Sequence, residues 1–170
     1  MFLKYTAIFL FLITSSFGLS ENNVKNSAFE EMLLVHKTPT CGCCKMWMKH
    51  AEESGMTVYS QDHQNLMTIK EQYQIEPKYR SCHTSVSSDG FVFEGHIPSK
   101  YIAQFLSENH IDAIGLSVPG MPLGSPGMEY ENQFSPYDVL ILFKDGTSKV
   151  YAEVRPVSYT HLRAHETEPD

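Results

Sequence analysis

The types and spacing of the four cysteines indicate that they form a chemically active site. Cys41, Cys43 and Cys44 lie within four residues of one another, and Cys82 is followed directly by His83. Clustered thiolates bind soft metal ions such as Cu(I) or Zn(II), or hold an iron–sulfur centre. Two thiols at Cys-x-x-Cys spacing also carry out thiol–disulfide exchange. The pattern therefore predicts a metal site or a redox site.

The third cysteine of the triplet bears on this choice. A dithiol redox motif needs one attacking and one resolving cysteine, and Cys43, between Cys41 and Cys44, invites scrambling. The spacing is too tight for a zinc site built from two separated Cys-x-x-Cys arms, whereas thiolates can bridge several Cu(I) ions. A pair of structural disulfides, Cys41–Cys44 with Cys43–Cys82, is the third reading, although so small a first loop adds little stability.

The elements around the triplet are a strand followed by a helix. Residues 32–36 are an apolar run typical of a buried strand, and residues 38–40 offer a hydroxyl cap to a helix that begins near Cys41. A helix N-terminus favours thiolates at Cys41 and Cys43. A strand leading into Cys-x-x-Cys at a helix start is the arrangement of thioredoxin-like folds. In such a fold the third strand begins beside the dithiol, which would bring Cys82 and His83 to the triplet.

The remaining pattern predicts an α/β fold: a thioredoxin-like mixed sheet flanked by helices, with an added C-terminal β-hairpin. Asp89-Gly90 is a preferred two-residue turn, and Pro98 is suited to the first position of a helix. The region 113–136 is rich in Gly and Pro and has no periodicity, so it is predicted to be a long functional or mobile loop. The other predicted elements are strands at 56–60, 139–143 and 148–154 and a helix before Pro77.

The two ends of the chain are set apart from the domain at residues 29–156. Residues 1–20 have the basic start, apolar run and small residues of a cleaved signal peptide, with a retained N-terminal anchor as the alternative. Residues 21–28 are predicted to be a disordered lead-in. Residues 157–170 read like a translated sequencing adapter and are interpreted as an assembly artefact. The mature protein is therefore expected to be periplasmic and not to be held in a membrane.

The charge of the chain bears on whether it could bind nucleic acid. The formal net charge is −7, and no cluster of basic residues is present. Binding to the phosphate backbone requires a basic patch or stripe. The composition therefore excludes nucleic acid as the partner.

Three further residues are candidate metal ligands. His96 lies at the predicted hairpin-to-helix junction, and Met121 and Met128 lie in the Gly/Pro-rich region. Imidazole and thioether groups are suitable Cu(I) ligands, and a thioether needs no deprotonation. The alternative roles are helix capping for the histidine and coverage of apolar surface for the methionines.

The cysteine motifs and their neighbours resemble a bacterial "domain of unknown function" family of CopG-like periplasmic copper-resistance proteins. The resemblance implies a thioredoxin-like fold, export to the periplasm and copper handling, with the cysteines as Cu(I) ligands. It covers nearly all of the predicted domain. The matching blocks are residues 37–45, 81–84, 94–98, 113–116 and 118–129.

The leading prediction is a periplasmic copper-binding protein that handles or detoxifies Cu(I). Its ligands would be the four cysteines, in a site that holds one or several copper ions, with His83 in support. Its partners would be copper ions and other periplasmic copper-handling proteins. The alternative is a thiol–disulfide oxidoreductase that uses Cys41 as the nucleophile and Cys44 as the resolving thiol.

Overall fold

The computed structural model describes residues 31–156. The predicted signal peptide (1–20), lead-in (21–28) and adapter-like tail (157–170) lie outside the described residues. Within 31–156 no helix has the length and apolar character needed to cross a membrane. In chain order the elements are β1 (Met32–Lys37), α1 (Gly42–Glu53), β2 (Thr57–Asp62), α2 (Met67–Gln72), a 3₁₀ turn (Pro77–Tyr79), β3 (Thr84–Ser87), β4 (Val92–Glu94), α3 (Ser99–Ser107), β5 (Ala113–Ser117), β6 (Tyr137–Phe143) and β7 (Ser148–Val154).

The strands form one mixed sheet in the order β2-β1-β3-β4-β5-β6-β7. The pairs β1–β2 and β4–β5 are parallel and are joined through α1 and α3, whereas the other neighbours are antiparallel. The predicted mixed α/β sheet and its closing hairpin are confirmed. The finer thioredoxin-like assignment stays a prediction.

Helices cover both faces of the sheet. On one face, Trp47 of α1 and Phe105 of α3 are fully buried in the main core together with Leu33 of β1. On the other face, a smaller core centres on Ile75 and Val92. Burial of these apolar side chains holds α1 and α3 on one face of the sheet and the segment that follows α2 on the other. The site described below lies where β1 ends and β3 begins.

Helix α1 follows the predicted periodicity. Cys44, Trp47 and Ala51 are its buried residues, as expected from their spacing of three and four. Its cap differs from the prediction, because the sulfur of Cys41 replaces a hydroxyl of residues 38–40 and accepts the hydrogen bond from the Cys44 amide. The helix therefore begins at the first cysteine of the triplet.

The prediction of a loop over residues 113–136 was wrong at its start. Ala113–Ser117 forms β5, a central strand between β4 and β6. This strand was predicted as a loop because it contains Gly115, and glycine is rare in strand interiors. A side chain is excluded there: the residue has φ +149° at a register shift, and a Cβ would collide with the backbone of Val92. Two smaller differences are that β2 continues to Asp62 and that Pro98 caps α3 instead of starting it.

Candidate metal centre

The N-terminus of α1 presents three sulfur atoms. Cys41 and Cys44 form a disulfide with a Cα–Cα distance of 5.4 Å, while Cys43 and Cys82 are free thiols. Cys41 and Cys43 are half-buried, and Cys44 is fully buried. The predicted alternative of two structural disulfides is therefore present only in its first pair.

The sheet brings the fourth cysteine to this cluster. His36 at the end of β1 pairs with Thr84 at the start of antiparallel β3, so the residues before β3 lie beside those after β1. As a result, Cys82 Sγ lies 3.5 Å from Cys44 Sγ. Cys43 Sγ lies 3.5 Å from Cys41 Sγ, and all four sulfurs lie within 4.8 Å of one another. The four cysteines predicted from the sequence thus occupy one small volume.

Two buried histidines join the cluster at Cys82. His96 Nε2 lies 2.9 Å from Cys82 Sγ, and His83 Nδ1 lies 3.3 Å from the same sulfur. Both rings are fully buried. Cys82, His83 and His96 therefore form a second group of donor atoms within 4.8 Å, and this group shares Cys82 with the four-cysteine group.

The hydrogen bonds of His96 determine its tautomer. Its Nδ1 lies 2.7 Å from the carbonyl oxygen of Pro126, and only a protonated nitrogen can donate to a carbonyl. Burial lowers the pKa of His96, although the Pro126 carbonyl and Glu129 oppose this, so the neutral ring is favoured. The neutral ring therefore directs the lone pair of Nε2 at Cys82, which is the arrangement of a metal-binding histidine oriented by a backbone carbonyl.

His83 is a hydrogen-bond donor to Cys82, whereas His96 directs a lone pair at it. Its ring packs on Trp47 at 4.5 Å and against His96 at 5.0 Å, and its buried Nε2 has no hydrogen-bond partner among the described residues. A buried N–H without an acceptor is less tolerable than a buried lone pair, so the proton belongs on Nδ1, which then donates to Cys82. Burial holds the pKa of His83 well below its usual value, and electrostatic interactions with the His96 ring and with Lys70 add to this.

Cys82 is a protonated thiol in the metal-free protein. Its pKa is raised to about 12, mainly by burial and in addition by neighbouring Cys43. A metal ion binding this sulfur must therefore displace a proton, as metal ions do at thiol ligands.

The Gly/Pro-rich loop covers the cluster. Gly127 has φ +81°, and a Cβ at this position would lie 2.7 Å from both the Cys43 carbonyl oxygen and the Trp47 nitrogen. The Ser81 hydroxyl donates to the carbonyl of Gly120 at the other end of the loop. Close approach of this loop to α1 thus requires glycine.

The two candidate methionines lie in this covering loop. Met121 and Met128 directly follow Gly120 and Gly127, the glycines that contact the cysteine segments. Met121 is 51% exposed, and Met128 is half-buried. Both backbones thus lie at the margin of the cluster.

Sequence reasoning missed a buried ion pair beside the site. Lys70 of α2 and Glu94 of β4 are 4% and 0% exposed and form an ion pair. Two signals could have found them. Glu94 is two residues from Val92 and hence on the same inward face of the strand, and Lys70 is four residues from buried Leu66.

The comparisons with known proteins agree with this geometry. A family described as "Protein of unknown function, DUF411" matches residues 79–128. The solved structure "Copper resistance protein copG- Form 2" has 36% sequence identity, covers 74% of this chain and 99% of its own, and gives a TM-score of 0.70. Form 1 has 37% identity, covers 74% and 98%, and gives 0.69. No curated protein matches the chain.

Two findings therefore stand side by side: a cluster of cysteines and histidines that could hold a metal ion, and structural neighbours that are copper-resistance proteins. Both neighbours are matched over nearly their whole length at more than 30% identity. This chain belongs to the CopG-like copper-resistance family that contains the DUF411 region.

Proposed function

We propose that this chain is an exported copper-binding protein that handles or detoxifies Cu(I). The thiolates of the four cysteines would bind the metal, with His96 Nε2 as a further ligand and His83 donating to Cys82. The observation that carries the proposal is the convergence of four sulfurs within 4.8 Å, one of which also belongs to a Cys–His–His group.

The donor set suits Cu(I) in its chemistry. Thiolate sulfur is a soft ligand, and Cu(I) is a soft ion that selects cysteine and methionine over oxygen donors. Because Cys82 belongs to both donor groups, it would be a ligand to an ion held by either group. Met121 and Met128, whose backbones lie at the margin of the cluster, are candidates for completing the coordination.

Full use of the cluster requires a reduced protein. In the described state Cys41 and Cys44 are joined by a disulfide, which leaves two free thiols. Two electrons and two protons from a dithiol reductant convert that bond into two thiols, and the reductant becomes a disulfide. Copper capacity should therefore differ between the oxidised and the reduced protein.

The proposed cellular setting is the periplasm. The signal peptide predicted at residues 1–20 would carry the chain to the periplasm. Disulfides persist there, which is consistent with the Cys41–Cys44 bond. Other periplasmic copper-handling proteins are the partners that would deliver or accept the ion.

The test is an anaerobic Cu(I) titration of the reduced protein, with bound copper and alkylatable thiols counted together. We expect more than one copper per chain and cysteines protected from alkylation. Cys43→Ser should sharply lower the copper content, whereas His110→Gln, which alters a histidine outside the cluster, should not. Wild-type protein that retains no copper would refute the proposal.

A second candidate function is thiol–disulfide exchange. Its supporting observation is the asymmetry of the disulfide, because Cys41 is half-buried while Cys44 is fully buried, as expected of an attacking and a resolving cysteine. The thiolate of a partner dithiol would attack Cys41 Sγ and release Cys44, which takes up a proton. The second partner thiol would then displace Cys41, so that two electrons pass from the dithiol to the disulfide.

Cys43→Ser separates the two functions. The substitution removes a copper ligand but leaves the Cys41–Cys44 pair intact. Retained disulfide reductase activity with lost copper binding would show both roles and assign Cys43 to the metal. Unchanged copper stoichiometry would exclude Cys43 as a ligand.

A further inference from the structure

The buried ion pair between Lys70 and Glu94 has no evident part in either core. It lies between α2 and the sheet, on the face opposite α1. Removing two charges from water is costly, and apolar residues of similar size often serve stability equally well. The pair therefore calls for a role other than stability.

The carboxylate of Glu94 accepts hydrogen bonds from both ends of the segment at residues 81–84. The Ser81 amide donates to its Oε1 at 2.5 Å, and the Thr84 hydroxyl donates to its Oε2 at 2.6 Å. Lys70 donates to Glu94 Oε1 and also to the Thr84 hydroxyl, the latter at 3.1 Å. The two residues between these ends are Cys82 and His83.

Residues 81–83 need such support because they precede β3, whose ladder pairing begins at Thr84. The His83 carbonyl accepts from the Gly95 amide at 3.0 Å, and the Arg80 carbonyl accepts from the Gly120 amide at 3.1 Å. The Ser81 amide is held by the carboxylate of Glu94. Displacement of the segment would alter the 3.5 Å and 2.9 Å distances from Cys82 Sγ to Cys44 Sγ and His96 Nε2.

We propose that Glu94 is a positioning residue: its oxygens hold residues 81–84, so that Cys82 and His83 meet the α1 thiols, and Lys70 compensates its buried charge. This inference rests on the proposed function in that positioning serves metal binding. A carboxylate is suited to this purpose because its two oxygens can accept hydrogen bonds from both ends of the segment.

Two double variants test the role of the acceptor oxygens. Lys70→Met/Glu94→Leu replaces the ion pair by apolar groups of similar size and removes both acceptors. Lys70→Met/Glu94→Gln also removes the charges but leaves a carbonyl oxygen for the Ser81 amide. The matched control is Lys37→Met, since Lys37 is 3% exposed and pairs with half-exposed Asp62 on the neighbouring strands.

Two measurements are made on each protein. Amide hydrogen exchange at residues 81–84 of the metal-free protein reports the hold on the segment, and competition with a Cu(I) chelator reports affinity. In the Met/Leu variant we expect exchange at Ser81 to be about ten- to a hundred-fold faster and Cu(I) binding to weaken about ten-fold or more. The Met/Gln variant and Lys37→Met should stay near wild type in both.

A folded Met/Leu variant with wild-type exchange and copper affinity would overturn the inference, because the pair would then be merely structural. If the Met/Leu variant does not fold, hydrogen exchange in the Met/Gln variant tests the inference instead. Exchange at Ser81 near the wild-type rate supports the role of the acceptor, and a ten-fold increase overturns it. If wild-type protein takes up no copper, the proposed function fails, while the exchange measurement still decides whether Glu94 holds the segment.

Discussion

Replacement of Gly127 by alanine probes the contact between the covering loop and α1. The residue has φ +81°, and an added Cβ would lie 2.7 Å from the Cys43 carbonyl oxygen and 2.7 Å from the Trp47 nitrogen. Both are backbone atoms of a helix and cannot turn aside. Gly55 is the matched control, because it follows the same helix with φ +89° but has nothing within 4 Å of the built Cβ.

The two substitutions share one cost and differ in another. Alanine in the left-handed region costs about 1–2 kcal/mol at either position. Overpacking against fixed atoms adds about 1–3 kcal/mol at Gly127 alone. Since each kcal/mol lowers Tm by roughly 3–5 °C in a domain of this size, Gly127→Ala should unfold roughly 3–15 °C below Gly55→Ala.

Thermal unfolding of the metal-free protein by circular dichroism measures this difference. Copper affinity supplies a second readout, because the loop also carries the Pro126 carbonyl that orients His96. Gly127→Ala should weaken Cu(I) binding, whereas Gly55→Ala should leave it unchanged. Equal losses of Tm in the two variants would refute the packing of the loop against α1.

Three further predictions concern buried side chains. Phe105→Ala should lower the unfolding free energy measured in urea by about 3–5 kcal/mol, since the ring is fully buried; a loss below about 1 kcal/mol would contradict its place in the core. His96→Ala should weaken Cu(I) binding more than His83→Ala, because His96 directs a free lone pair at Cys82; the reverse order in a chelator competition would contradict the assigned tautomers. Burial and His63 lower the pKa of His36, so the unfolded chain binds more protons and stability falls as the pH drops below about 6.5. His36→Gln should remove up to about 1.4 kcal/mol per pH unit of that slope in urea titrations between pH 5 and 7, and parallel slopes would contradict this.

Local patterns were sufficient to predict the elements that carry the cysteines. Apolar spacing in α1 and the hairpin around Asp89-Gly90 are short-range signals, and both elements were confirmed, although the turn also contains Ser88 and is longer than the predicted two residues. The meeting of Cys82 with the triplet was predicted from the thioredoxin-like arrangement, in which the third strand begins beside the dithiol. That prediction used the order of the elements together with a known fold, and not the local pattern alone.

The features that were missed depend on contacts between distant backbone atoms or on charges in unexpected places. Strand β5 contains Gly115, which local propensity assigns to a loop and which only the proximity of Val92 explains. The tautomer of His96 depends on a carbonyl 30 residues away. The sequence analysis made no prediction for Lys70, because a lysine is rarely buried unless it has a partner such as Glu94.

The distance along the chain between the two halves of the thiol cluster has a thermodynamic consequence. Cys44 and Cys82 are 38 residues apart in sequence but 3.5 Å apart in the folded domain. An ion held by both would act as a reversible cross-link that the unfolded chain cannot form, so binding would favour the folded state by mass action. Occupancy and resistance to unfolding would then rise together. The empty protein would be the form that proteases attack first, and metal supply would set the lifetime of the chain.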